Sequence, residues 1–356
     1  MKKQSTNMIK YIIKRLLMMI PMLFLVLTFS WLLSHMMNRN PLVYYGDQLM
    51  DPDVLEAELN RIGYYDPWYI KLGNYYKNFF SGNWGKSLIY QKDRPVYDMI
   101  VKEVFPKTIE LMIIPIILSP IIAVKLGLVS STNKDKAKDT LIRILAIIGA
   151  GFPVFWIAAL VQMVSGYYFG IFTNGAFDLP ALSPNTPGLD GPGPDGAPKT
   201  GFRIIDSIIY NDQIYLFDTI THLIIPAIVI TFVSLAGVTR LTRSSMLDVL
   251  DQDYIRTARA KGVLENDIIN KHALRNALLP TSNLIIQGTA TALLGSFFVE
   301  VTFRYTGFGY TLLMSILLAD YNVINALVII MTIILLTGTL VADVMYTIID
   351  PRITYR

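Results

Sequence analysis

Apolar residues run along this chain in six long blocks, at about 12–34, 109–129, 141–169, 219–239, 280–302 and 322–346, with charges and turn formers gathered between them. A bilayer core takes about 20 apolar residues per helix, so each block predicts one crossing and the whole predicts an all-α membrane bundle of six spans. Pro21, Pro115, Pro120, Pro153 and Pro226 lie inside the blocks. Neighbouring helices can re-satisfy the carbonyls that they free, so these prolines predict kinks and not breaks.

Two connections are too long for simple turns. The first, 36–108, holds a predicted helix near Pro52–Ile62 and an aromatic-rich region from Tyr64 to Trp84, which together predict a small ordered cap over the membrane. The second, Ala181–Thr200, is dense in Pro and Gly and predicts a mobile or polyproline-like loop. The expected division is 1–108, first span plus external cap, and 109–356, a five-span core with a charged loop at about 240–279. No internal repeat is visible.

Composition narrows the class. Charged residues are 16% of 356, against about a quarter in soluble domains. With no cysteine, disulfides, thiolate nucleophiles and cysteine-ligated metals are excluded. The net charge of +4 sits beside the apolar blocks and not in one stripe, which argues against nucleic acid and for topology signals. Lys2, Lys3, Lys10, Lys14 and Arg15 precede a first block without a small-x-small cleavage site, so an uncleaved span is expected. Basic residues crowd that arm, the loop Lys125–Arg143, the loop Arg240–Leu279 and the tail, whereas Arg304 alone marks the loop between spans five and six. The positive-inside rule makes the four basic segments, and both termini, cytoplasmic.

Apparent chemistry mostly dissolves on inspection. Gly82-Asn-Trp-Gly85-Lys86-Ser87 superficially resembles a phosphate-binding loop but has two residues between its glycines where four are needed. His35, His222 and His272 lack ligand spacing, so no metal site is expected. Asp51 and Asp53 read as solvated helix-start charges, and no catalytic residue is indicated. Gln162, Gln287 and Asp343 are polar within spans and should face other helices or water. Gly288 with Ala292, and Thr291 with Gly295, form a small-residue face suited to close helix contact.

The informative segment is the loop before span five. Asp248–Lys261 favours helix, with acidic residues early, Arg256, Arg259 and Lys261 late, and Gly262 as its stop. A second helical stretch opens at Glu265 and Asp267 and runs towards Pro280. Ala258 and Gly262 leave a shallow notch flanked by Tyr254 and Ile255. On physics alone, an amphipathic helix on lipid headgroups fits as well as a protein-docking element.

Gly262 and the string Lys271-His-Ala-Leu-Arg-Asn-Ala-Leu-Leu-Pro280 resemble the EAA loop of ABC importer permeases. The Glu-Ala-Ala and Leu-Pro of the general pattern are here Arg256-Thr257-Ala258 and Leu274-Arg275, as in the first-permease branch of oligopeptide and dipeptide importers. Gly82–Ser87, Arg94-Pro95-Val96, Thr108–Leu111, His222–Pro226, Glu300–Phe303, Gly307-Phe-Gly309, Asp320-Tyr321 and Asp350-Pro351-Arg352 extend the likeness over nearly the whole chain. One departure is Thr306, where the family commonly has Pro.

The resemblance implies the type I ABC importer permease (MetI-like) fold, in a multi-pass subunit of the plasma membrane. It further implies a second homologous permease, two cytoplasmic ATPases that bind ATP and Mg, and an extracytoplasmic solute-binding protein. Tyr254, Ile255, Arg256, Ala258, Arg259, Lys261 and Gly262 would meet an ATPase, and Gln287, Thr291 and Glu300 on span five would line the path. The chain itself would hold no cofactor and be no enzyme. Rivals are a self-sufficient channel or ion-coupled transporter, and an anchoring scaffold. Within the importer class, nickel or sugars compete with peptides as solute.

Overall fold

The computed structural model describes residues 2–36, 56–57, 60, 63–165, 191–192 and 199–349. Among these the β pairing is confined to an isolated bridge between Lys86 and Pro95. Helix α1 (Lys2–Met36) is followed by α2 (Trp68–Phe80) in the first long connection. The run α3 (Val96–Thr132) contains a π turn at Ile100–Val104. Then come α4 (Ala137–Gly151), α5 (Val154–Met163), α6 (Arg203–Ile209) and the long α7 (Gln213–Leu250). Helix α8 (Asp253–Ala260), α9 (Leu274–Gly295), α10 (Phe297–Thr302), α11 (Phe308–Leu317) and α12 (Tyr321–Ile349) complete the order.

Four of these, α1, α3, α7 and α12, are long and apolar enough to cross a membrane, and α4 with α5 makes a fifth if taken as one span. The remaining expected crossing falls on α9 and α10, which meet at Ser296. Pro21, Pro115, Pro120 and Pro226 sit inside unbroken helices. Pro153 does not: α4 and α5 diverge by 110° there. Phe152, at φ −98° and ψ 143°, is held extended because the following proline ring disfavours a helical residue before it. The segment expected as one kinked span is thus broken. The predicted helix at Pro52–Ile62 and the loop Ala181–Thr200 lie almost wholly outside the described residues.

Contacts sort the helix ends into two sets. Arg15 of α1 pairs with Asp343 of α12 at 2.8 Å, and Arg243 of α7 makes a bidentate pair with Asp139 of α4, both bonds at 2.8 Å. At the other end Asn325 of α12 takes a hydrogen bond from Ser30 and donates one to Ser34 of α1. The basic N-terminal arm thus meets α12, and the loop Lys125–Arg143 meets the start of the loop Arg240–Leu279.

Half of α7's apolar window is buried, against 11% for α1, so α7 is the central helix and α1 a peripheral one. Against α7 lie α3 and α4, in close approach because their contact residues are small. A Cβ added at Gly127 would lie 2.5 Å from Thr242 Cβ and 3.0 Å from the Thr239 carbonyl, and one at Gly149 3.3 Å from the Phe232 carbonyl. Leu111, Met112, Ile157, Leu223, Val229 and Phe303 fill the adjoining core. A second core joins Met99, Ile100 and Val104 to Phe308, Val323 and Leu327.

This packing predicts that Gly127→Leu destabilises the protein by about 1–3 kcal/mol, the usual cost of overfilling a packed site. Its thermal unfolding midpoint in detergent should drop. Gly73→Ala, in exposed helix α2 where an added Cβ meets nothing within 4 Å, should leave the midpoint level or slightly higher. Equal midpoints for Gly127→Leu and the parent would contradict the α3–α7 contact.

Candidate functional site

Helix α7 ends at Leu250, and the chain turns through Asp251 and Gln252 before α8 begins. The single helix expected over Asp248–Lys261 is therefore two. Gln252 is extended, at φ −70° and ψ 149°, and starts the new helix. At the far end Gly262 takes φ +77°, its N–H reaches the Arg259 carbonyl at 2.9 Å, and Val263 N–H reaches the Ala258 carbonyl at 3.2 Å. These two bonds close the helix in the reversed pattern that glycine allows. The second helical stretch opens at Glu265 as expected: Glu265–Asp267 and a π turn at Ile268–Ala273 lead without interruption into α9.

The elbow is fixed from inside and outside. Ile255 is fully buried among Met246, Ile268, Ala273 and Ala277, with Leu128 and Val249 packed around them. Burying such a side chain is worth about 1.5–3 kcal/mol, so Ile255 anchors α8 to α7 and α9. Ala258 is half-buried against the same cluster. On the outside, Asn276 donates to the Tyr254 hydroxyl at 2.8 Å. Arg259 grips Glu265 across the Gly262 turn, with bonds of 2.8 and 3.1 Å. The Arg259 guanidinium holds the Glu265 carboxyl below its usual range. A depressed carboxyl means that this clamp is complete at neutral pH and is lost as pH falls through the lowered value.

What remains exposed is a compact surface: Arg256, Lys261, Gly262 and Leu264, with Tyr254 43% and Leu264 73% accessible. An added Cβ at Gly262 would meet nothing within 4 Å. Sequence reading passed over Leu264. Its signal is an apolar side chain directly after a helix stop, where no helical stripe accounts for it.

The three span-five candidates fall in different settings. Gln287 is exposed on α9, bonded to Asn283 at 3.0 Å. Thr291 lies on the same helix, with its side chain outside the described set. Glu300 has no exposed surface. Its carboxylate accepts Thr108 Oγ at 2.9 Å, Ser296 Oγ at 3.1 Å and Gly309 N–H at 2.6 Å, and Thr108 Oγ accepts Phe308 N–H at 2.8 Å. In this subunit Glu300 is a tie between α3, α10 and α11 and faces no open space. A Cβ at Gly307 would stand 2.7 Å from its Cδ, so glycine is needed there. Thr306 accepts a bond from Lys107 at 3.0 Å, which gives this residue a use in place of the family's proline.

Beside Gln287 a cavity of about 290 Å³ opens between α3, α7 and α9, lined by Pro115, Ser119, Ser234, Gly237, Gly288 and Thr289. Gln162 donates to the Thr302 carbonyl at 3.1 Å, a packing role. Asp343 meets Arg15. Among the described residues no group of three or more His, Asp or Glu could hold a metal.

The Gly82–Ser87 segment also finds its anion. Asp320 Oδ2 accepts Ser87 Oγ at 2.6 Å and the N–H groups of Leu88, Ile89 and Tyr90 at 2.8, 3.0 and 3.1 Å. The loop wraps a carboxylate of its own chain.

Comparison with known proteins agrees with this layout. The family model described as binding-protein-dependent transport system inner membrane component matches residues 123–355. The oligopeptide transport system permease protein AppB of Bacillus subtilis is 34% identical over 98% of this chain and all of its own length. The dipeptide transport system permease proteins DppB of Alkalihalophilus pseudofirmus and Escherichia coli K12 are 33% and 29% identical, each over 98% of this chain and all of their own. The chain therefore belongs to the family of binding-protein-dependent transport system inner membrane components, the membrane permeases of ABC importers.

Proposed function

We propose that this permease carries peptides or similar small solutes across the plasma membrane, driven by ATPase subunits that receive the α8 elbow. The observation that carries this reading is the elbow itself. Buried Ile255 and continuous helix from Glu265 into α9 join an exposed surface at Tyr254, Arg256, Lys261, Gly262 and Leu264 to the helix that bears Gln287. A push on the exposed surface must move α9. The resemblance and the names of the relatives support peptides as solute.

In this reading two ATPases bind ATP and Mg, and the permease is no enzyme. A second homologous permease faces the open side of α9, closing a path that Gln287 and Thr291 line. An extracytoplasmic binding protein delivers solute. Both termini lie in the cytoplasm, supported by the positive-inside pattern of the basic segments in the sequence. Lys261 and Arg256 meet the ATPase directly, whereas Arg259, engaged with Glu265, positions the turn.

Gly262→Val places a β-branched residue in the left-handed region at a cost of about 1–2 kcal/mol, and Ala258→Arg forces a charge against the Ile255 cluster. Each should lower solute-stimulated ATP hydrolysis of the assembled complex by about tenfold while basal hydrolysis persists. Unchanged stimulation and uptake would sink the coupling role.

Arg259→Glu should weaken coupling, and the reversed pair Arg259→Glu with Glu265→Arg should restore much of it. Exposed pairs contribute about 0.2–1 kcal/mol, so a loss of up to about fivefold is expected. A reversed pair as defective as the single variant would instead make Arg259 a direct ATPase contact.

A further inference from the structure

Helix α2 has no buried residue, yet its two exposed sides differ sharply. Trp68, Tyr69 and Phe80 are 63%, 60% and 58% accessible, and Tyr69, Gly73, Tyr76 and Phe80 follow helical spacing along one side. Asn74, Lys77 and Asn78 are exposed on the opposite side, with Ile70 the one large apolar residue among them. A third side, through Tyr75 and Phe79, turns towards Trp84 and α12. A helix in water has no reason to keep large rings exposed on one flank.

Its position explains the asymmetry. Tyr76 and Phe80 pack on Phe24 of α1, with ring centroids 5.3 and 5.8 Å away, and the Tyr76 hydroxyl meets Thr28 at 2.6 Å. The apolar stretch of α1 runs from Tyr11 to Met36, so Phe24 stands near its middle. Twelve residues separate Phe24 from Met36, about 18 Å of helix. The exposed rings of α2 meet α1 at Phe24, whose helical stripe Ile13, Leu17, Ile20 and Phe24 is itself an exposed apolar surface of the span. A helix resting above the membrane could not reach that depth, so α2 leans into the bilayer and does not cap it.

We propose that α2 is a lipid-binding interfacial helix, seated in one leaflet with Tyr69 and Phe80 against the acyl chains and Asn74, Lys77 and Asn78 facing water. Aromatic rings with an apolar body and a polar edge concentrate at this depth, and opposed apolar and polar flanks define a helix lying in the interface. The occupant is phospholipid because the flank is continuous with the lipid-facing side of a membrane span. The inference needs only membrane embedding; the leaflet is extracytoplasmic on the orientation proposed above.

The chain has no cysteine, so single-cysteine variants need no background changes. Tyr69→Cys, Phe80→Cys, Asn74→Cys and Lys77→Cys, all at exposed sites, are spin-labelled in the full-length protein in phosphatidylethanolamine and phosphatidylglycerol nanodiscs. Collision rates are then measured with oxygen, which enters lipid, and with a water-soluble nickel chelate. Positions 69 and 80 should favour oxygen over the chelate several-fold more than positions 74 and 77. Equal chelate access on both flanks would place the helix in water and overturn the proposal. Shielding of 69 and 80 from both reagents would make the occupant protein and overturn it too. Neither result depends on which solute is carried or on ATPase coupling.

Discussion

A backbone N–H freed at a helix break has no water to turn to inside a bilayer, and in this protein buried carboxylates supply the missing acceptors. Glu110 of α3 receives the N–H groups of Arg203 and Ile204 at the start of α6, at 3.2 and 2.7 Å. Glu300 does the same for Gly309 at the start of α11, and Asp320 for the turn at Leu88–Tyr90. Asp206 holds Thr200 and Gly201 at 2.8 and 3.0 Å. All four carboxylates are buried. A buried carboxylate without such partners is costly, and so is an orphaned N–H; together they are matched. Because Glu110 and Asp320 hold segments far apart in sequence, α6 and the turn at Leu88–Tyr90 are pinned to the long helices.

This explains why so many motifs that carried the family resemblance are polar yet lie in the packed interior. Thr108 and Glu110 sit on one stretch of α3 and reach two different breaks. Gly307 and Gly309 leave room for Glu300 and the α10 backbone. The buried motif residues form joints, and they leave exposed the outer surface of the α8 elbow and the Gln287–Gly288 side of α9.

Much of the architecture was legible because lipid enforces simple patterns. The apolar blocks located α1, α3, α7 and α12. Boundaries were less legible where polar residues are paired. Helix α3 starts at Val96 and α7 continues to Leu250, past Arg240, which ended the apolar block, and past Arg243, which is paired with Asp139. The break at Pro153 was hidden because a proline in an apolar block reads the same whether the residue before it stays helical or extends. Among site residues, Gly262 was readable from its type. The engagement of Arg259 by Glu265, the burial of Ile255 and the enclosure of Glu300 depend on neighbours six or more residues away, which spacing alone does not reveal.

Pro280 lies within α9 and cannot donate to the carbonyl four residues earlier, that of Asn276. Asn276 is the residue whose side chain straps Tyr254 to the rod. The helix is therefore slackest one turn above the point where the elbow is fastened. Below that level the rod is braced by the Ile255 cluster, and just beyond its far end stand the Glu300 ties. In the coupling proposed above, displacement applied to the elbow would be taken up first as bending at this joint, and the motion delivered to Gln287 and Gly288 would be a swing about Pro280 and not a thrust along the helix axis.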